Sequence, residues 1–217
     1  MKQTAILVLT GVILVLTNCG RPANTALIER GDYAMWQSRW ADAATNYLQA
    51  IDQHPGDWEA QYKLGQCYLE MGEPLKASHS LAIAESIQPK NDEIADLYAT
   101  ALMECGDKDA LFAYLQNRAQ TMQTEKAWTK FAEYAMALDD PDSATNAINT
   151  AIAVGQEKSE APYIVAALFA ERLGDESLAL KRWKEAWYIN TSNKQAADAL
   201  RSYGEIPGPT MTGNAEE

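Results

Sequence analysis

The chain has 217 residues, of which 47% are apolar, 9% aromatic and 22% charged, a balance that supports a buried core and excludes a wholly disordered or collagen-like polymer. Eighteen Lys and Arg stand against 30 Asp and Glu, a net charge of −12 with no basic stripe for phosphates, which argues against nucleic acid as a ligand. Two histidines and three cysteines supply few of the metal ligands and nucleophiles that most enzymes use.

At the N-terminus, Met1 and Lys2 precede an apolar run from Ala5 to Leu16, AILVLTGVILVL. One cation followed by a short greasy core reads as a secretory signal over residues 1–18. A spanning helix needs about 20 apolar residues, so the run is too short to be a permanent anchor. The next four residues, Leu16-Thr17-Asn18-Cys19, resemble the lipobox of bacterial lipoproteins, with Asn18 where that family usually has Gly, Ala or Ser. The resemblance implies that Cys19 becomes the first residue and the lipid-attachment site, with several acyl chains holding the protein at a membrane. Residues 19–23 are then a lipidated N-terminus and short linker. Gly20 follows the cysteine instead of the Asp of many inner-membrane lipoproteins, so the resemblance implies a periplasm-facing address on the outer membrane of a bacterial envelope.

Beyond the linker a ruler appears. Gly31 and Gly65, Ala43 and Ala77, Ala50 and Ala84, and Pro55 and Pro89 all recur at a spacing of 34 residues. The run Leu64-Gly65-x-x-Tyr68, then Ala77, Ala84 and Pro89, resembles the tetratricopeptide repeat (TPR) signature. The resemblance implies an all-α fold, a right-handed TPR superhelix of about five helix-turn-helix repeats with a C-terminal capping helix. The copies fall at about 24–57, 58–91, 92–125, 125–158 and 160–191, making a solenoid over 24–191. Small residues are needed where helices cross closely, and large ones such as Tyr68 and Leu81 fill the gaps beside them. Pro55 and Pro89 stop second helices, and Pro74 and Pro141 suit first turns. The third copy lacks the crossing glycine and the closing proline. Residues 192–203 form an amphipathic cap expected to rest on Ile164, Val165 and Leu168, and 204–217, rich in Pro and Gly, reads as a disordered tail.

None of the short catalytic motifs is present: no phosphate-binding Gly-rich loop, H-E-x-x-H, G-x-S-x-G or C-x-x-C. His54 and His79 lie 25 residues apart without cysteine or carboxylate at ligand spacing, so neither a metal nor another cofactor is expected. Cys67, in mid-helix, and Cys105, at the end of the next first helix, are expected to remain unbonded, since a disulfide needs alpha carbons within about 7 Å. An accessory enzyme using Cys67 or Cys105 as nucleophile is the alternative reading. Asp92, Glu93, Asp140 and Asp142 cluster at helix starts, where negative charge complements the helix dipole.

In a TPR stack the first helices line a concave groove. The resemblance therefore implies partner-facing positions at Ile28, Glu29, Asp32, Met35 and Trp36 in the first repeat and at Tyr62, Lys63, Gln66 and Glu70 in the second. Further along, Asp96, Thr100, Met103, Thr129, Lys130 and Glu133 follow, then Ile164, Val165, Leu168 and Arg172. The Lys/Asn clamp that some TPR domains use for a C-terminal carboxylate is absent, because Glu29, Asp32 and Gln66 stand where donors are needed; a basic or apolar protein segment fits better. Trp36, Met35 and Tyr62 either anchor a partner or plug space under a first repeat with no predecessor, and both readings stand at this level. The expected function is a membrane-anchored, non-catalytic protein-protein interaction scaffold of the envelope, serving assembly of a pilus, secretion or outer-membrane complex. No small-molecule substrate is indicated.

Overall fold

A methyl group added to Gly31 would stand 2.5 Å from Tyr47 Cε1, and one added to Gly65 would stand 2.5 Å from Leu81 Cγ. Each glycine thus marks a place where two antiparallel helices cross with backbone against a buried side chain. The same contact is made twice, one repeat apart, so the recurring glycine answers a packing demand. The computed structural model describes residues 23–208; the signal, Cys19 and most of the predicted tail lie outside them.

Eleven helices and no strand occur among the described residues: α1 Asn24–Trp36, α2 Trp40–Gln53, α3 Trp58–Glu70, α4 Pro74–Ile87, α5 Asp92–Glu104, α6 Lys108–Met122, α7 Glu125–Ala137, α8 Pro141–Gly155, α9 Ala161–Leu173, α10 Glu176–Ile189 and α11 Lys194–Ser202. Consecutive helices pair as hairpins, and each second helix also leans on the first helix of the next hairpin. First helices approach one another directly, α3 on α5 and α7 on α9, whereas no two second helices come comparably close. The first helices therefore form the inner wall of a TPR superhelix.

Local chemistry sets the helix ends. Pro74 and Pro141 open α4 and α8, where a missing N–H costs nothing. Helices α2 and α4 stop two residues before Pro55 and Pro89. Asp57, Asn91 and Thr124 cap the first helices α3, α5 and α7, and Asp107, Asp140 and Asp175 cap the second helices α6, α8 and α10, each side chain accepting a backbone N–H.

Counted from the N-cap, all five second helices share one pattern. The eighth residue on is large and buried: Tyr47, Leu81, Leu115, Ile148 and Trp183. The fourth and eleventh are alanines in four of the five, Ala43 and Ala50, Ala77 and Ala84, Ala144 and Ala151, Ala179 and Ala186, all fully buried. Helix α6 breaks the rule with Leu111 and Arg118. Two large side chains at close-contact positions hold α6 away from α5, and this hairpin is looser than the other four.

Arg118, only 8% exposed, is nonetheless satisfied. Its Nη1 donates to the carbonyl of Pro89 at 2.5 Å and to Glu85 Oε1 at 3.3 Å, and its Nη2 donates to Asp92 Oδ1 at 2.9 Å. The guanidinium stitches α6 to the end of α4 and the start of α5. At the far end, Ala196 and Leu200 of α11 close over Tyr163, Ala167, Trp183 and Ala186, with Ile164 at the edge. The cap therefore meets only part of the predicted surface: Ile164 borders it, whereas Val165 faces the preceding repeats and Leu168 stays exposed. On a helix, adjacent positions point about 100° apart, so a one-residue offset turns the greasy stripe away from the cap. After α11, Glu205 pairs with Lys184 at 2.8 Å.

Candidate interaction groove

The inner wall of the first two repeats is organised by one buried phenol. Tyr47, pinned under Gly31, donates its hydroxyl to Asp32 Oδ1 at 2.6 Å, with Met35 Sδ 3.1 Å away. Asp32 in turn holds Lys63 of α3 at 2.8 Å, and Lys63 also reaches Glu59 at 2.7 Å. Burial pulls the Lys63 ammonium down, but the hydrogen bonds and charges of Asp32 and Glu59 outweigh it and leave Lys63 above the ordinary lysine value. Burial, then the hydrogen bond to Asp32, pushes the Tyr47 phenol far above its usual range. Asp32, Met35 and Lys63 are thus joined across two repeats through Tyr47, and the one cation Lys63 is shared between the Asp32 and Glu59 carboxylates.

Tyr62 and Gln66 form a second unit, the amide donating to the phenol oxygen at 3.1 Å. Tyr62 packs beside Leu69, Leu97 and Tyr98, and burial together with the nearby Glu93 carboxylate raises its pKa. Ile28 is half-buried against the core of the first repeat. Trp36 is 79% exposed and stacks on Tyr33 at 6.0 Å, so it plugs nothing; Met35 and Tyr62 are the half-buried members. Glu29 and Glu70 are exposed.

Further along, cations on first helices are matched by carboxylates of the repeat before. Lys126 meets Asp92 at 2.8 Å, Lys130 meets Asp96 at 3.8 Å as well as Glu133 at 3.1 Å, and Arg172 meets Asp139 and the carbonyl of Met136. Glu70 and Glu93 make no ion pair among the described residues, whereas Glu29 lies off this wall, in a depression between α1 and α2. The inner wall near α1, α3 and α5 therefore presents its unmatched charge as carboxylate, beside the apolar surface of Tyr62, Leu69 and Leu97. Arg118, Asp92 and Lys126 form an ionic group that no local motif in the sequence marks. The signal that finds Arg118 is the 34-residue ruler itself, which runs from Ala50 through Ala84 to position 118.

Cys67 is fully buried and Cys105 partly so, and both are free thiols. Burial pushes the Cys67 thiol up to about 11, so it is protonated at neutral pH. We therefore expect Cys67 in the folded protein to react with iodoacetamide more slowly than an unstructured cysteine peptide. Labelling faster than the peptide, followed by mass spectrometry, would restore the nucleophile reading. His54 and His79 are exposed, and among the described residues no group of three His, Cys, Asp or Glu is placed to hold a metal ion.

Fold and wall together define a solenoid of helical hairpins, the architecture of a protein-interaction scaffold. Residues 28–86 match the family model of the tetratricopeptide repeat, so α1 to α4 carry TPR repeats. The chain's fold is similar to that of a MamA protein, with 20% identity and a TM-score of 0.59 over 86% of this chain and 98% of that one. It is also similar to YrrB, described as a TPR protein with an unusual peptide-binding site, with 15% identity and a TM-score of 0.55 over 81% and 90% of the two chains. PilF of Pseudomonas aeruginosa aligns with 12% identity and a TM-score of 0.57 over 84% and 85%. At these identities the likeness establishes the fold alone. No curated protein matches the sequence.

Proposed function

We propose that the protein is a lipid-anchored TPR scaffold of the bacterial envelope that holds a basic or apolar segment of a partner protein in the groove of α1, α3 and α5. One observation carries the choice of ligand: the cations of this wall are already matched, while Glu70 and Glu93 make no ion pair among the described residues. An incoming carboxylate finds no free cation, whereas a lysine or arginine finds carboxylates beside an apolar floor. The peptide site named for YrrB supports binding of an extended segment by such a wall. Ile28, Met35 and Tyr62 supply apolar contact, and Asp32, Lys63 and Gln66 fix the wall's shape. The groove works by binding alone. The lipobox supports attachment through Cys19 at a periplasm-facing membrane, outer before inner, in the service of a pilus, secretion or outer-membrane assembly.

Fluorescence anisotropy with labelled peptides of equal length and apolar content tests the groove. Basic peptides are expected to bind more tightly than acidic ones, with an affinity that falls as salt rises and falls further in Glu70→Lys combined with Glu93→Lys. A preference for acidic peptides overturns the assignment. For the anchor, metabolic labelling with a fatty acid is expected to vanish in Cys19→Ser, and labelling that persists removes the lipobox.

A further inference from the structure

We infer that the open end of the first repeat rests on the lipid surface that holds Cys19, with Tyr33 and Trp36 seated at headgroup level. This rests on the lipid-anchor reading above. The two ends of the solenoid differ: α11 covers the last hairpin, whereas among the described residues only Ala23 precedes α1. Among the described residues the first end is a shallow open depression between α1 and α2, lined by Ala26, Glu29, Arg30, Tyr33, Arg39 and Asp42 among others. Ala26, Arg30 and Tyr33 share one side of α1, and Trp36 stacks alongside Tyr33 with a ring tilt of 26°. Tyr33 is 57% and Trp36 79% exposed, so two large rings have each other as their ring contact and are otherwise largely open.

Rings with a polar edge beside long-stemmed cations make up the composition found where protein meets a bilayer interface.

Reach agrees. From Cys19 to Asn24 the chain spans at most about 18 Å. Tyr33 lies about 14 Å along α1 from its start, at the helical rise per residue. With α1 lying along the surface, both rings reach headgroup depth without stretching the tether, and the remaining hairpins rise away from the membrane. A short tether of this kind is what brings a lipid surface, before any soluble partner, to this face.

The test uses the mature lipidated protein in vesicles of phosphatidylethanolamine and phosphatidylglycerol whose acyl chains are brominated either near the headgroup or near the tail. Wild type is expected to lose one tryptophan's share of its emission, more to shallow than to deep bromine, and Trp36→Phe to lose that quenching while keeping its melting temperature. Equal quenching in both proteins, with acyl mass confirmed on Cys19, overturns the contact and leaves the anchor standing. Absence of acyl mass on Cys19 overturns the anchor and this inference together. Emission from Trp36 that escapes bromolipid yet is shielded from aqueous iodide shows a second copy or a partner covering the face, and also overturns it.

Discussion

Arg118→Ala is expected to lower stability by about 2–4 kcal/mol, although alanine is the residue that the other four second helices carry at this position. The substitution restores the repeat pattern but leaves the carboxylates of Glu85 and Asp92 and the carbonyl of Pro89 without the donor they face. Removing one member of a buried ionic group costs more than the group contributed, because the others remain desolvated. The figure is set below the fully buried limit because Asp92 is 49% exposed and keeps Lys126. Arg118→Met, which preserves most of the volume, separates lost packing from lost charge. The shift in urea midpoint reads both.

The same group makes stability depend on acid. The hydrogen bond from Lys126, opposed by desolvation and assisted by Arg118, holds the Asp92 carboxyl below its ordinary value. A pKa lowered by folding contributes stability that is full above the unfolded value of about 3.9 and is lost as pH falls through the lower folded value. Wild type therefore gives up this increment in the acid range, whereas Arg118→Ala has given up part of it already at neutral pH. The stability gap between the two proteins should narrow on acidification below about pH 4. A gap of constant size would place the loss in packing.

Gly65→Ala should cost about 1–3 kcal/mol, even though alanine favours helix over glycine by roughly 1 kcal/mol. The new methyl meets Leu81 Cγ at 2.5 Å, and Leu81 is fully buried, so α3 and α4 have to separate. Truncating the opposing side chain relieves the clash: Gly65→Ala with Leu81→Ala should be less destabilised than the sum of the two single changes. An unchanged melting temperature for Gly65→Ala would deny that the hairpins pack at this distance. Gly31→Ala carries a second consequence, because Tyr47 opposes it and also holds Asp32. That change should disturb the inner wall and weaken peptide binding, where Gly65→Ala acts on stability.

What could be read before any coordinates is tied to steric demands that repeat along the chain. A glycine opposite a large residue and a proline after each of the first two second helices are local patterns, and the hairpins they predict are present. The same register puts Asp32 on α1 and Lys63 on α3 at positions one face can share, since a face follows from helical period. It does not say that they touch. Asp32 and Lys63 are 31 residues apart, and Asp92 and Lys126 are 34 apart, separations at which charge of either sign is equally ordinary in sequence.

Trp36 and Met35 show the limit most plainly, because neighbouring residues of like chemistry part company, one lying open beside Tyr33 and the other tucked beside the Tyr47 hydroxyl. The repeat, its length and its crossing points belong to the sequence alone, since each expresses a clash or a missing N–H that any copy of the unit would meet. Which charges are matched, which carboxylates stay open, how far Arg118 opens the third hairpin and where the cap rests were decided only by tertiary packing. Those depend on distances between helices of different repeats, and a periodic pattern contains no such distance.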